Sequence, residues 1–166
     1  MRTLAAPFLA AVVAALLTAC VQEKTRPSLL PKTVSVELRR AVVGVGYQGV
    51  VFTPLDAGGG APLGFSPSDL DIATMEARLP SLLAGQSGAF GGSPPLLANY
   101  VRQYTGQVSD GRRVLQTNFI DQDLVKERGI DWRNQRVRFE DAGPRFFQIW
   151  YDTGGQHIVR LLSSGS

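Results

Sequence analysis

Ser93–Gly106 reads SPPLLANYVRQYTG, and its period governs how the segments around it can be assembled. Ser93-Pro94 has the form of a helix start, a capping hydroxyl followed by a proline whose missing N–H is no loss in the first turn. Leu96, Leu97, Tyr100, Val101 and Tyr104 recur at helical spacing on one face, and Gly106 supplies a stop signal. The stretch is therefore expected to be a helix. Beyond Gly106 the period changes to two.

Toward the C-terminus, Val108 leads into Ser109-Asp110-Gly111, a turn signal, and 112–120 reads as a strand. Residues 121–128 suit a short helix, with Asp121 as cap and Gly129 as stop. Three strand-like runs follow: Val137 with Phe139, then Phe147, Ile149 and Tyr151, then Val159 with Leu161. Between them, Asp141-Ala142-Gly143-Pro144 and Thr153-Gly154-Gly155 are short enough for hairpins.

Toward the N-terminus, Ser66-Pro67-Ser68-Asp69 offers a cap, a first-turn proline and an acid at the third position. Ile72, Met75, Leu79, Leu82 and Leu83 form an apolar helical stripe, and Pro80 is expected to kink or reset the last turn. Val34, Val36 and Leu38 alternate with polar residues as in a half-buried strand. Residues 41–53 read as a second extended segment, and Asp56–Gly64, with Gly58-Gly59-Gly60, as a loop. The signals over 34–65 are the weakest in the chain. Two helices followed by strands give an α+β class, with both helices packed on one face of an antiparallel four-stranded meander.

The N-terminus carries a different message. After Arg2 the chain is uncharged and mostly apolar from Leu4 to Leu17, and Cys20 is its only cysteine. A basic start, an apolar run and small residues describe a secretory signal. Leu17-Thr18-Ala19-Cys20 resembles the lipobox of bacterial lipoproteins. That resemblance implies a signal peptide at 1–19, cleavage before Cys20, and lipid on its sulfur and on the new N-terminus. Val21, where aspartate tends to retain such proteins in the inner membrane of enteric bacteria, implies the outer membrane, facing the periplasm. An uncleaved anchor is the weaker alternative, since Leu4–Ala19 falls short of the ~20 residues that span a bilayer. Two acyl chains, at ~0.8 kcal/mol per buried methylene, suffice to hold a protein at the surface. Residues 20–33, polar with two prolines, then serve as a flexible tether, and 34–166 as a single globular α+β domain.

A formal net charge of +3 over 166 residues, with Arg112-Arg113, Arg133, Arg136 and Arg138 scattered among acids, argues against a nucleic-acid partner. With Cys20 lipidated no thiol remains for a disulfide, so the core must hold the domain.

From Tyr100 onward the chain resembles a group of uncharacterised proteobacterial exported proteins and lipoproteins. The matching residues are Tyr100-Val101-Arg102-Gln103-Tyr104-Thr105-Gly106, Gly111-Arg112-Arg113, Asn118-Phe119, Trp132, Asp141-Ala142-Gly143, Phe147 and Tyr151-Asp152. Ala142 stands where that pattern tends to have glycine, and the group implies no catalytic residue. The order of helices and strands resembles the cystatin and nuclear-transport-factor-2-like folds. Gln107–Gly111 resembles the cystatin inhibitory loop, with Ser109 in place of valine, although Ser-Asp-Gly is itself an ordinary turn.

Other motifs point to structure. Gly44-Val45-Gly46-Tyr47-Gln48-Gly49 matches G-x-G-x-x-G, but a strand-like Val50-Val51-Phe52-Thr53-Pro54 follows where a dinucleotide site needs a helix. His157 is the only histidine, too isolated for a metal site, and no nucleophile signature accompanies it. Asp121, Asp123, Glu127 and Asp131 suit a solvated helix face. No catalytic residue, metal or cofactor is expected. In the strand at 146–151, Phe146 and Trp150 have opposite parity to Phe147, Ile149 and Tyr151. If helices cover one face, these two are exposed or meet a partner. The expected function is a membrane-anchored, non-enzymatic interaction module with an envelope protein partner. The alternative is a small-ligand-binding or hydrolytic domain, with Tyr100, Arg102, Tyr104 or His157 in a pocket between helices and sheet.

Overall fold

Period two, not 3.6, prevails in Ser93–Gly106. The computed structural model describes residues 38–53, 64–140 and 142–164. Within it only Leu97–Asn99 winds into a single 3-10 turn before Tyr100 enters a ten-residue strand. Tyr100, Arg102 and Tyr104 face one side of the sheet, and Val101 and Gln103 the other. The helical expectation fails because these apolar spacings partly satisfy both periods, while aromatic and β-branched side chains pack best on a pleated surface. Gly106 is no helix stop. It makes room for Phe65, whose carbonyl a Cβ there would overlap.

The strands are β1 (Leu38–Gly44), β2 (Tyr47–Thr53), β3 (Gly64–Phe65), β4 (Tyr100–Ser109), β5 (Arg112–Asp121), β6 (Gly143–Asp152) and β7 (His157–Ser164). They form one seven-stranded sheet in the order β1-β2-β4-β5-β6-β7, with β3 also beside β4. β2 and β4 run parallel, Gly49 opposite Arg102, and the remaining pairs are antiparallel. With helices α1 (Asp69–Ala84) and α2 (Gln122–Arg128) the protein is α+β, built on a larger, mixed sheet than the expected four strands.

Local chemistry explains most boundaries. Ser68 and Asp71 cap α1 reciprocally, Asp71 N–H donating to Ser68 Oγ at 3.1 Å and Ser68 N–H to Asp71 Oδ2 at 3.0 Å. This box lies two residues beyond the expected Ser66–Asp69 start. Asp121 Oδ1 accepts from the Asp123 and Leu124 amides, and left-handed Gly129 ends α2 as expected. Asp110 and Gly111, with φ of 51° and 73°, form the hairpin turn between β4 and β5, as the D-G pair favours.

Of the two helices expected on one face only α1 forms, and the short α2 lies on the opposite face of the sheet. Ile72, Met75, Leu79 and Leu83 of α1 pack on the face carrying Val51, Tyr104, Leu115, Phe119 and Phe147. Leu124 of α2, with Trp132 and Val137, covers Val50, Phe52, Val101, Ile120 and Phe146. The expected strand at Val137–Phe139 is irregular chain whose backbone bonds to side chains instead. Gln103 Nε2 donates to the carbonyls of Trp132 (2.6 Å) and Gln135 (2.7 Å), and its Oε1 accepts from Val137 N–H at 2.9 Å. Asn118 Nδ2 donates to the Val137 carbonyl at 2.9 Å. These amides replace a ladder in satisfying the segment.

The expected signal peptide and tether, Cys20, the Val34–Val36 half of the first expected strand and the expected Gly58–Gly60 loop lie outside the described residues. Among the described residues no helix is long and apolar enough to cross a membrane.

Candidate functional site

Three glycines shape the β1–β2 hairpin. Gly46, at φ 76°, makes the turn. A Cβ at Gly44 would overlap the Tyr47 ring, and one at Gly49 would stand 2.5 Å from Tyr104 Cε2. The glycine motif thus relieves crowding and lets two tyrosines lie against the backbone.

The hairpin tip and α1 border a cleft of about 500 Å³. Its walls are Val45, Ala73, Ala77, Pro80 and Leu97, and its polar lining is Tyr47, Glu76 and Arg102. A second recess of about 340 Å³ shares Gly46, Tyr47 and Arg102 and reaches Tyr100 and Gln122.

At the base sits a buried ion pair. Arg102 is 1% exposed and Glu76 8%. Arg102 grips the carboxylate with two bonds, Nε to Oε1 at 3.3 Å and Nη2 to Oε2 at 3.2 Å. Its Nη1 donates to the Tyr100 carbonyl. Tyr104 donates its hydroxyl to Glu76 Oε1 at 2.8 Å. The guanidinium also lies over the rings of Phe119 and Tyr47, 5.5 and 5.9 Å from their centroids, within cation–π range.

Burial raises the Glu76 carboxyl above its ordinary value, outweighing the Arg102 charge and the hydrogen bonds from Tyr104 and Arg102 that lower it. Burial, and then the Glu76 charge, push the Tyr104 phenol well up. Tyr47 is raised by the same two causes in the same order. Both phenols therefore keep their protons at neutral pH. Tyr104 spends its hydroxyl on Glu76 behind the cleft, so Tyr47 and Arg102 are the donor-bearing side chains that line it.

Of the residues singled out in sequence, Arg102 and Tyr104 meet here, and Tyr100 borders the second recess, its hydroxyl donating to the Pro144 carbonyl at 2.8 Å. His157 is exposed at the start of β7 and belongs to neither recess. Phe146 is buried on the second face, edge-on to Phe139 at 5.2 Å. What covers it is the chain's own 130–139 segment, which the parity argument left out. Trp150 is half-buried, with Arg160 stacked over its ring at 4.8 Å.

Glu76 and Tyr47 were not anticipated. Glu76 had a signal: it stands at i+4 from Ile72 and i−3 from Leu79, a charge inside an apolar stripe. Tyr47 had none, because its place depends on the glycine across the hairpin. Among the described residues no three His, Cys, Asp or Glu side chains gather as a metal site would need. Comparison of the chain with protein-family models, with curated proteins and with solved structures finds no match.

Proposed function

We propose that this chain is a lipoprotein of the bacterial cell envelope, held by lipid on Cys20 at the periplasmic face of the outer membrane. Its α+β domain acts as a binding module, with the cleft between α1 and the sheet as ligand site. The lipobox Leu17–Cys20 supports the anchor. The Arg102–Glu76–Tyr104 cluster at the base of the cleft is the observation that carries the binding role. A buried ion pair is seldom needed for stability, since apolar replacements are often neutral or stabilising. An apolar recess with a few convergent polar groups is, in contrast, the common form of a small-ligand site. Binding fits better than catalysis, because both Glu76 oxygens are already engaged.

Native mass spectrometry of the full chain, purified from membranes in mild detergent, tests the binding role. A small molecule should accompany the wild type and be lost from Ala77→Leu, which adds bulk at an exposed cleft position. Identical spectra for the two proteins would sink it. Cys20→Ser should leave the membrane fraction, and its retention there would sink the anchor.

A protein partner is favoured by one further observation. Beyond the cover of 130–139, the second face presents half-buried Trp150 and Leu162, which is 41% exposed. Crosslinked envelopes should lose a captured protein with Trp150→Ala and keep it with Ala77→Leu.

A further inference from the structure

We infer that the cleft takes an uncharged amphiphile, an apolar chain bearing an amide, with the amide carbonyl on Arg102; this rests on the cleft being a binding site. Three observations converge on that chemistry. The first is charge. Arg102 and Glu76 already compensate one another at the base, so a carboxylate or ammonium would be stripped of water against a neutral floor. The second is the count of donors. A guanidinium has five N–H groups. Glu76 and the Tyr100 carbonyl take three of them. Every nitrogen of this almost wholly buried side chain thus has one acceptor, and Nη1 and Nη2 each keep a second hydrogen that the described residues leave over. Either hydrogen can serve one further acceptor that enters the cleft.

The third is Pro80. It lies inside α1 and has no N–H, so the backbone carbonyl of Glu76 lacks its i+4 helical donor. Glu76 and Pro80 both line the cleft. Arg102 hydrogens that can take a further acceptor, and a Glu76 carbonyl without its i+4 donor, match the two ends of an amide, whereas an ester answers only the former. Val45, Ala73, Ala77 and Leu97 supply the apolar wall, and the small alanines leave width for a chain.

The experiment uses the full chain in lipid nanodiscs, with methyl-labelled valine and leucine, titrated with hexanamide, methyl hexanoate, hexanoate and hexylamine. Hexanamide should shift the Val45 and Leu97 methyl signals saturably, at least tenfold more tightly than hexanoate or hexylamine, with methyl hexanoate between. Ala77→Leu should abolish the shifts without altering the core methyls of Leu115. Glu76→Gln, which removes the compensating charge, should turn the preference toward hexanoate. Tightest binding of hexanoate or hexylamine to the wild type would overturn the head-group assignment while leaving the cleft a binding site. Equal binding of hexanamide and methyl hexanoate would overturn the amide. If no probe shifts either methyl, the cleft is not a binding site and the inference falls with it.

Discussion

The two faces of the sheet bury polar residues in opposite ways. β4 supplies both, Arg102 to one side and Gln103 to the other. Gln103 spends all its capacity on the protein: two N–H bonds to backbone carbonyls, and an Oε1 that accepts from Val137 N–H and Asn118 Nδ2. Gln148 in turn donates to Asn118 Oδ1 at 2.7 Å. That network pins 130–139 and closes its part of the second face. Arg102, under α1, engages Glu76 and one carbonyl, and its side chain lines the cleft. A polar group that is fully used closes a fold. One that lines a cleft with bonding capacity left over is what the proposed ligand site rests on.

Substitutions can break this contrast. The largest effect should come from Arg102→Met, which leaves Glu76 buried and uncompensated, a loss of about 3–5 kcal/mol by urea unfolding. Adding Glu76→Leu should recover most of it. A double variant no more stable than the single would mean that the loss does not come from leaving Glu76 uncompensated. On the second face, Phe146→Ala should destabilise by about 3–4 kcal/mol as a core cavity, and half-buried Trp150→Ala by about 1–2. Comparable losses would show that the outer half of that face is closed too. Gln103→Leu strands several backbone groups of 130–139 and should remove about 2–3 kcal/mol, with faster amide exchange at Val137. Unchanged exchange there would deny the network its pinning role.

The smallest effect is a pH dependence. Burial holds Glu76 above the ordinary carboxyl range, so the native chain keeps that proton to higher pH than the unfolded one. Its contribution to stability is full below about pH 4.3, the ordinary glutamate value. It is lost as pH rises through the folded value. Asp71 has the opposite sign. Burial alone would raise it, but its bonds to Ser68 and the Arg113 charge outweigh that and hold it low. Its stabilisation is therefore present at neutral pH and lost on acidification. Urea midpoints from pH 3 to 8 should show the Glu76 decline in the wild type and in Gln103→Leu, but not in Glu76→Gln.

What could be read in advance tracks how local its cause is. β5, α2 with its Asp121 cap and Gly129 stop, the Asp110-Gly111 turn and the hairpin into β7 each depend on residues a few positions apart. Tyr100–Ser109 resisted because a short aromatic and β-branched run fits a helix or a strand until a sheet offers it two faces. Val137–Phe139 alternates like a strand, yet its backbone is satisfied by Gln103 and Asn118, which arrive from 34 and 19 residues away. Arg102 and Tyr104 stood out as polar candidates, but Glu76, the residue that joins them, was hidden in an apolar stripe.

Turn chemistry and caps are written in contiguous residues, because a backbone donor or a tight turn is answered by its immediate neighbours. The α+β class follows from the same local signals. Only tertiary structure could set the two helices on opposite faces and close 130–139 over Phe146. It alone brought Glu76 of α1 to Arg102 of β4 beneath the hairpin's Tyr47. Burying a charge is tolerable only where a partner from elsewhere in the chain already waits, and no local pattern records that meeting.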